Sequence, residues 1–261
     1  MENKDRDIEE LYARLDDLKE RADRGDVGIS AFLTPRELHY AESYLSRNKA
    51  KFLSFGGYNG AERKTVYLLP EYMDSVESPD EMTEYGYDAN ISVIEAKGSG
   101  FEKLSHRSFM GSLLGLGLER SVIGDIIMTD EYTALVFCDS SIADFLLLSW
   151  QKAGRDKIKL SRVSLPKDFA PSRKYAQMTD TVASPRLDCV VGALCSLSRE
   201  KARAAVESGL VELDYECEER ADREVKAPCL ISVRGYGKFR LLSVEDKTKK
   251  GRYRLVGEKF L

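Results

Sequence analysis

The 261-residue chain has no long hydrophobic run, only two histidines, and five cysteines without a Cys-x-x-Cys pair. No apolar stretch reaches the roughly 18 residues of a membrane span, so we expect no membrane partner. Residues 1–5 are helical and acidic in pattern, unlike a secretory signal. An odd number of cysteines without paired spacing is typical of a cytoplasmic protein with reduced thiols and disfavours a zinc site.

Signatures of catalysis and of cofactor binding are missing as well. The glycine-rich stretch 56–60 lacks the Lys-Ser/Thr of a P-loop, so it favours the turn of a β-hairpin over a phosphate cradle. A methyltransferase needs a glycine-rich strand-to-helix turn in a doubly wound sheet, whereas Gly98-Ser99-Gly100 lies in a short loop. No metal-ligand spacing or nucleophile–base–acid set stands out. We therefore predict a protein that is not an enzyme and uses no cofactor or metal.

Charge is distributed unevenly along the chain, whose net charge is −4. Residues 1–150 carry 16 lysines and arginines against 28 aspartates and glutamates, a balance of −12. The balance is +5 for residues 151–184 and +3 for residues 185–261. The acidic part is poorly suited to lie along phosphates, but the second part is suited to do so.

The N-terminal third predicts an α+β domain over residues 1–78. A stripe of apolar residues predicts an amphipathic helix over residues 7–23. Thr34-Pro35-Arg36-Glu37 predicts the start of a second helix, because it combines a capping box with a proline at the first helical position. Two strands are predicted after it, at residues 52–55 and 65–69.

The middle third predicts a split βαβ plait, an RRM-like βαββαβ fold, over residues 79–165. Its strand, helix, two strands, helix and strand are predicted at residues 91–95, 105–114, 125–128, 133–137, 142–152 and 157–160. Many RNA-binding modules of this fold stack bases on a pair of aromatic residues on the central strands. Here those strands offer only Phe137, so the fold alone does not establish RNA contact.

A basic stretch leads out of the plait, and residues 166–184 are predicted to form a linker. Pro166 and Pro171 interrupt regular structure there, and the length would let the flanking domains move. A solvated linker and a segment that becomes ordered on RNA are both open interpretations. The cations of the basic stretch are Lys152, Arg155, Lys157, Lys159, Arg162, Lys167, Arg173 and Lys174.

The C-terminal part, residues 185–261, predicts two short helices followed by a small antiparallel sheet. Ser198 suits the N-cap of the second helix, and Gly209 suits its end. Arg199 and Arg203, four residues apart, flank the apolar face of that helix. The apolar face consists of Ala202, Ala205 and Val206.

The sheet residues alternate between cations and apolar groups. Lys238 and Arg240 alternate with Phe239 and Leu241, which places the cations on one face of a strand. Tyr236 lies between two glycines, where stacking on a base and shielding of the turn are both open interpretations. The same alternation recurs at Arg252, Tyr253, Arg254 and Leu255, and the tip between the strands carries Lys247, Lys249 and Lys250.

The order of these pieces resembles the αL RNA-binding motif, a domain shared with the small-subunit ribosomal protein numbered four. The resemblance covers residues 184–245 and rests on Arg186-Leu187-Asp188, Ser198-Arg199, Gly209-Leu210-Val211 and Val233-Arg234-Gly235. It implies that the two helices and the adjoining loop lie against structured RNA. The contacts that it marks are Arg186, Ser198, Arg199, Lys201, Arg203, Arg234 and Lys238; Tyr236 and Arg240 complete the predicted RNA-binding set.

A longer resemblance spans nearly the whole chain. Phe55-Gly56-Gly57-Tyr58, His106-Arg107-Ser108-Phe109-Met110-Gly111 and Ile123-Gly124-Asp125-Ile126 are similar to the YlmH family of bacterial αL-motif proteins. That resemblance implies a small, monomeric, non-catalytic protein that binds ribosomal RNA and tRNA. It further implies action on the large ribosomal subunit in ribosome-associated quality control, where peptidyl-tRNA is stalled, and a link to cell division.

Two other functions are alternatives to this one. An RNA-modifying enzyme such as a pseudouridine synthase relative is the first, because several enzymes carry αL domains. Those synthases use an aspartate within an Arg-Leu-Asp motif of their catalytic domain, whereas Asp188 belongs to the αL opening, where we expect it to cap the first helix. The second alternative is a division-associated scaffold with a vestigial αL domain.

Overall fold

The computed structural model describes residues 2–171, 175–245 and 251–260 of the chain. It forms two compact units, Met1–Pro171 and Ser172–Leu261. The predicted class, a mixed α+β protein, is confirmed by six α-helices and three antiparallel sheets in these residues. No helix in the described ranges is both long enough and apolar enough to cross a bilayer. The predicted cations at Arg173, Lys174, Lys247, Lys249 and Lys250 lie outside the described residues.

The helices have clear boundaries. They are α1 (Glu2–Asp23), α2 (Pro35–Arg47), α3 (His106–Gly115), α4 (Ser140–Ser149), α5 (Leu187–Cys195) and α6 (Arg199–Glu207). The strands of the first unit are β1 (Gly28–Ile29), β2 (Phe52–Phe55), β3 (Thr65–Leu68), β4 (Ile91–Gly98), β5 (Ile123–Met128), β6 (Thr133–Asp139), β7 (Lys152–Ala153) and β8 (Asp156–Val163). Those of the second are β9 (Tyr175–Val182), β10 (Val211–Leu213), β11 (Glu216–Cys217), β12 (Cys229–Val233), β13 (Gly237–Glu245) and β14 (Tyr253–Phe260).

The first unit begins with α1 and α2 packed on a three-stranded sheet of order β1-β3-β2. The predicted capping box is present, since the Thr34 hydroxyl accepts from the Glu37 amide and the Glu37 carboxylate accepts from the Thr34 amide. Leu11 and Leu15 of α1 and Leu45 of α2 face this core and are each 1% exposed. The apolar stripe that predicted α1 is therefore the stripe that packs in the core.

A second sheet of the same unit has the order β5-β6-β4-β8-β7, with every pairing antiparallel. Helices α3 and α4 pack on one face of it, over Ile94 and Ala96 of β4. Ser105 caps α3 by accepting a hydrogen bond from the Ser108 amide, as its position in the sequence predicts.

The opposite face of this sheet is covered at one end by the N-terminal part of the unit. Phe137 is fully buried there, with its ring centroid 4.9 Å from that of Tyr58. Phe169 lies edge-on to Tyr58, 5.7 Å between centroids. Gly57 has φ +95°, and a Cβ there would lie 2.4 Å from the Phe137 ring, so only glycine lets the loop approach so closely. Phe137 is thus a core residue and is not available to stack on a base.

Two side chains fasten the N-terminal loop to this sheet. Asp125 accepts hydrogen bonds from the Tyr58 hydroxyl at 2.6 Å and from the amides of Glu62 and Arg63 at 2.8 and 3.0 Å. The guanidinium of Arg63 is buried and donates to the carbonyl oxygens of Phe32, Arg120 and Ile123. Buried polar groups are stable only when their hydrogen bonds are made, and here they are.

The second unit is a six-stranded antiparallel sheet of order β11-β10-β12-β13-β14-β9, with α5 and α6 on one face. Its core includes Phe239 and Leu241, both fully buried. The turn between β10 and β11 contains Asp214 at φ 48° and Tyr215 at φ 72°, the pair of positive φ angles of a type I′ hairpin.

The stretch predicted as a linker differs in the structure. Tyr175–Val182 forms β9 and pairs along all eight residues with β14. The second unit therefore starts at Ser172 and not at residue 185. The partner strand lies some 80 residues later in the sequence, and β9 mixes four apolar with four polar residues, so its local strand signal is weak.

Candidate nucleic-acid interface

The two helices of the second unit are joined by a very short turn. Ser196 ends α5 in the left-handed conformation at φ 54°, and Ser198 caps α6 by accepting from the Lys201 amide. A Cβ at Gly192 would lie 3.6 Å from that of Ala202, so the helices approach closely. Ser198 therefore has a structural role at the head of the helix that carries the predicted cations.

Helix α6 buries its apolar face as predicted, with Ala202 and Val206 fully enclosed. Arg199 and Lys201 are exposed, and within the described residues their side chains form no hydrogen bond or ion pair. Arg203 is exposed but pairs with Glu207 at 2.6 Å, which raises the pKa of its guanidinium. Helix α6 thus presents two unpaired cations, one cation shared with a carboxylate, and the exposed carboxylate of Glu200.

Arg186 is engaged within the unit. It is the N-cap residue of α5, and its guanidinium donates to both carboxylate oxygens of Asp188 at 3.1 and 2.9 Å. Asp188 is 1% exposed and lies inside the first turn, so the prediction that it caps the helix is wrong. Burial acts to raise the pKa of Asp188, but hydrogen bonds from Arg186 and Cys189 outweigh it and lower the pKa.

Two predicted residues lie in the turn between β12 and β13. The Arg234 amide donates to the carbonyl of Leu210, which fixes the turn beside the end of α6, while its side chain is exposed. Tyr236 is 42% exposed, flanked by Gly235 and Gly237, both with positive φ. The turn leaves the Tyr236 ring partly open to solvent.

Lys238 and Arg240 lie on the sheet face that the helices leave uncovered. The Lys238 Nζ is 5.3 Å from the ring centroid of Phe260, and the Arg240 guanidinium carbon is also 5.3 Å from it. Tyr175 packs edge-on against Phe260 at 5.2 Å. Arg240 further lies 3.7 Å from a carboxylate oxygen of Glu258. Cation–π contact of this kind holds the two cations against the sheet.

The predicted residues therefore occupy two surfaces instead of one. Ser198, Arg199, Lys201 and Arg203 belong to the helical side of the sheet, and Lys238 and Arg240 to its open side. The turn of Arg234 and Tyr236 lies at the edge between them. The sequence did not reveal the aromatic partners of the open face, because Tyr175 and Phe260 meet only through the register of β9 with β14.

Chemically, this arrangement is suited to binding anions. Exposed arginines and lysines attract phosphates over several ångströms, and arginine can bind a phosphate through two hydrogen bonds. Asp188, the aspartate of the Arg-Leu-Asp sequence, is buried and hydrogen-bonded to Arg186, which is unlike the exposed nucleophile that covalent catalysis needs.

These features define a mixed α+β protein whose C-terminal unit carries a cationic helix. Residues 85–167 match the family described as "Putative RNA-binding domain in YlmH". The chain is 31% identical over 231 residues to "Ribosome-associated protein quality control protein P2" of Bacillus subtilis (strain 168), covering 88% of this chain and 86% of that protein. It therefore belongs to the YlmH family.

A solved structure supports the same fold. The chain resembles "Cell division protein ylmH from Streptococcus pneumoniae" with a TM-score of 0.50 and 21% identity. The similarity covers 61% of this chain and 91% of that one. At this level of identity the likeness concerns the fold alone.

Proposed function

We propose that the protein is a non-catalytic RNA-binding protein that acts on the ribosome, with the C-terminal unit as its principal contact. The observation that carries the proposal is the exposed cationic edge of α6. Arg199 and Lys201 are held at the start of a helix whose opposite face is buried, so their positions are fixed while their charges stay available. The similarity to a relative named for ribosome-associated quality control supports the same function.

In this proposal the second sheet of the first unit, together with α3 and α4, forms a split βαβ plait of RRM-like type, and the second unit contains an αL RNA-binding domain. The protein, a cytoplasmic monomer, binds ribosomal RNA and tRNA on the large subunit and contributes to rescue of stalled peptidyl-tRNA complexes, with a link to cell division. The burial of Asp188 against Arg186 supports a function without catalysis.

Binding would be electrostatic in large part. Each lysine or arginine that neutralises a phosphate releases counterions, so affinity falls steeply as salt rises. The helix supplies fixed cations, while Lys238 and Arg240 on the open sheet face supply cations already held against aromatic rings. Charge on both surfaces would favour a folded RNA over a single straight strand.

The test is co-sedimentation of the purified protein with ribosomal subunits at low and high salt. Changing Arg199 and Arg203 to glutamate should lower subunit binding by about tenfold or more, because two attractive charges become repulsive. The two substitutions place carboxylates at positions 199, 203 and 207, each four residues from the next, and each such pair costs only a few tenths of a kcal/mol. Circular dichroism should therefore report a folded variant.

The matched control changes Arg223 and Lys226, two exposed cations in a loop of the same unit, to glutamate. It alters the net charge equally but leaves α6 intact, and should bind nearly as the unmodified protein does. Equal binding by the α6 variant and the unmodified protein would contradict the proposal. Mass analysis of ribosomal RNA after incubation tests the alternative, since an RNA-modifying enzyme would change the mass of a nucleoside.

A further inference from the structure

The second sheet of the first unit has an uncovered end that carries lysines. Its strands β4 and β8 pair Val93 with Val163, Glu95 with Ser161 and Lys97 with Lys159. Residues directly opposite in an antiparallel pair lie on the same face. Val93 and Val163 belong to the covered end beneath Tyr58, so the other two pairs continue along that face toward its open end.

Lys97 and Lys159 are therefore direct cross-strand neighbours, with Cβ atoms about 4.5–5.5 Å apart. Lys157 lies two residues before Lys159 on the same face, roughly 6.6 Å along the strand. Ile158 and Leu160, which alternate with these lysines, pack on the helical side and confirm the orientation. All three lysines are exposed.

Few acidic groups compensate these charges. Within the described residues no carboxylate forms an ion pair with Lys97, Lys157 or Lys159. Glu95 lies on the same face, in the cross-strand pair next to that of Lys97 and Lys159. Asp130 lies near Lys97, but its carboxylate accepts a hydrogen bond from the Tyr132 amide. Like charges placed directly opposite each other destabilise a sheet. Lys97 and Lys159 face each other without a carboxylate partner, although the unit is rich in acidic residues, and a bound anion would relieve this cost.

We propose that Lys97, Lys157 and Lys159 form a second RNA-contacting surface, which binds the phosphate backbone without reading bases. The three residues are called the lysine strip below. The inference rests on the proposed function, and it assigns the contact within the segment, residues 85–167, that matches the RNA-binding family. Because Phe137 is buried under Tyr58, that ring cannot stack on a base beside the strip, and the proposed contact is with phosphates.

The experiment measures binding of the full chain to two labelled probes, a fragment of large-subunit ribosomal RNA and the homopolymer poly(U), over a series of salt concentrations. The test variant is Lys97→Gln/Lys159→Gln. The matched control is Arg47→Gln/Lys49→Gln, which removes two neighbouring exposed cations from the same unit. Thermal unfolding of both variants verifies the fold, and removal of the like-charged pair should not lower the stability of the test variant.

We expect the test variant to bind both RNAs several-fold more weakly, and the slope of log affinity against log salt to become shallower by about 1.5. The control should keep the slope of the unmodified protein. The inference is overturned if the test variant binds like the unmodified protein, or if test and control lose affinity equally. Failure of the unmodified chain to bind any RNA would overturn the proposed function and the strip together, whereas retained binding by a folded test variant overturns only the strip.

Discussion

The sheets that hold Phe137 and Phe260 differ in what covers the face on which each ring lies. In the first unit that face is covered at one end by Tyr58 and Phe169, and Phe137 is fully buried. In the second unit the corresponding aromatic, Phe260, is half-buried and lies beside Lys238 and Arg240. A phenylalanine on a strand therefore serves as core or as a partner for cations, depending on what covers that face.

The units also differ in how each holds its principal carboxylate. Asp125 accepts from groups more than 60 residues away in the sequence and ties two parts of the first unit together. Asp188 accepts from its immediate neighbours Arg186 and Cys189. Loss of the Asp125 carboxylate should weaken the packing between two parts of the first unit. Loss of the Asp188 carboxylate should affect only the start of α5.

The largest expected effect is a difference in stability loss when each of the two phenylalanines is replaced by alanine. Phe137→Ala should lower the free energy of unfolding of the first unit by about 3–5 kcal/mol, because it leaves a cavity in a packed core. Phe260→Ala should cost the second unit about 1 kcal/mol, since the ring is already partly exposed. Fluorescence of Trp150, the single tryptophan, reports urea unfolding of the first unit, and hydrogen exchange reports the second.

RNA affinity gives a second, independent measurement that distinguishes the two phenylalanines. Phe260→Ala should weaken RNA binding, since Lys238 and Arg240 lose their support, and a folded Phe137→Leu variant should not. Similar stability losses for the two alanine variants would show that the sheets are covered alike.

An intermediate effect is expected at Asp125. Asp125→Asn should cost about 2–3 kcal/mol, because an amide NH₂ then faces a hydrogen-bond donor that the carboxylate had accepted. Asp144→Asn is the control, since its exposed pair with Arg162 is worth less than about 1 kcal/mol. Tryptophan fluorescence during urea unfolding measures both. A cost at Asp125 no greater than that at Asp144 would mean that the loop is held by apolar packing alone.

The smallest effect is expected at Asp188, where the hydrogen bonds are local. Asp188→Asn should cost about 1–2 kcal/mol at neutral pH. The pKa of Asp188 is lowered in the folded state, so its charge stabilises the protein above pH ~4 and the contribution is lost as pH falls through the lowered pKa. Hydrogen exchange of α5 should show the difference between variant and unmodified protein shrinking as the pH falls below about 4. A difference that stays constant with pH would argue that the carboxylate charge is not the cause.

Elements with local signals could be predicted from the sequence. Thr34 and Ser198 lie where a hydroxyl caps a helix, and both helices start there. The alternation of Lys238 to Leu241 predicted which side of β13 is buried, and Phe239 and Leu241 are in the core. For the candidate site, the sequence indicated the cationic residues of α6, whose exposure follows from the spacing of its apolar face.

Features that depend on contacts between residues far apart in the chain could not be predicted from the sequence. Strand β9 exists because β14 pairs with it, and its own sequence, half polar and half apolar, gives only a weak strand signal. The separation of the predicted cations onto two sides of one sheet, and the juxtaposition of Lys97 with Lys159, follow from strand register.

The sequence by itself determined where the capped helices α2, α3 and α6 begin, which residues are apolar, and that cations gather in the C-terminal half, because caps, periodicity and charge are local properties. Only the tertiary structure decided that Phe137 is covered, that Asp188 is buried against Arg186, and which lysines meet across a sheet. The physical reason is that burial and cross-strand contact are properties of residue pairs far apart in the chain, and these pairs form only when the whole unit packs.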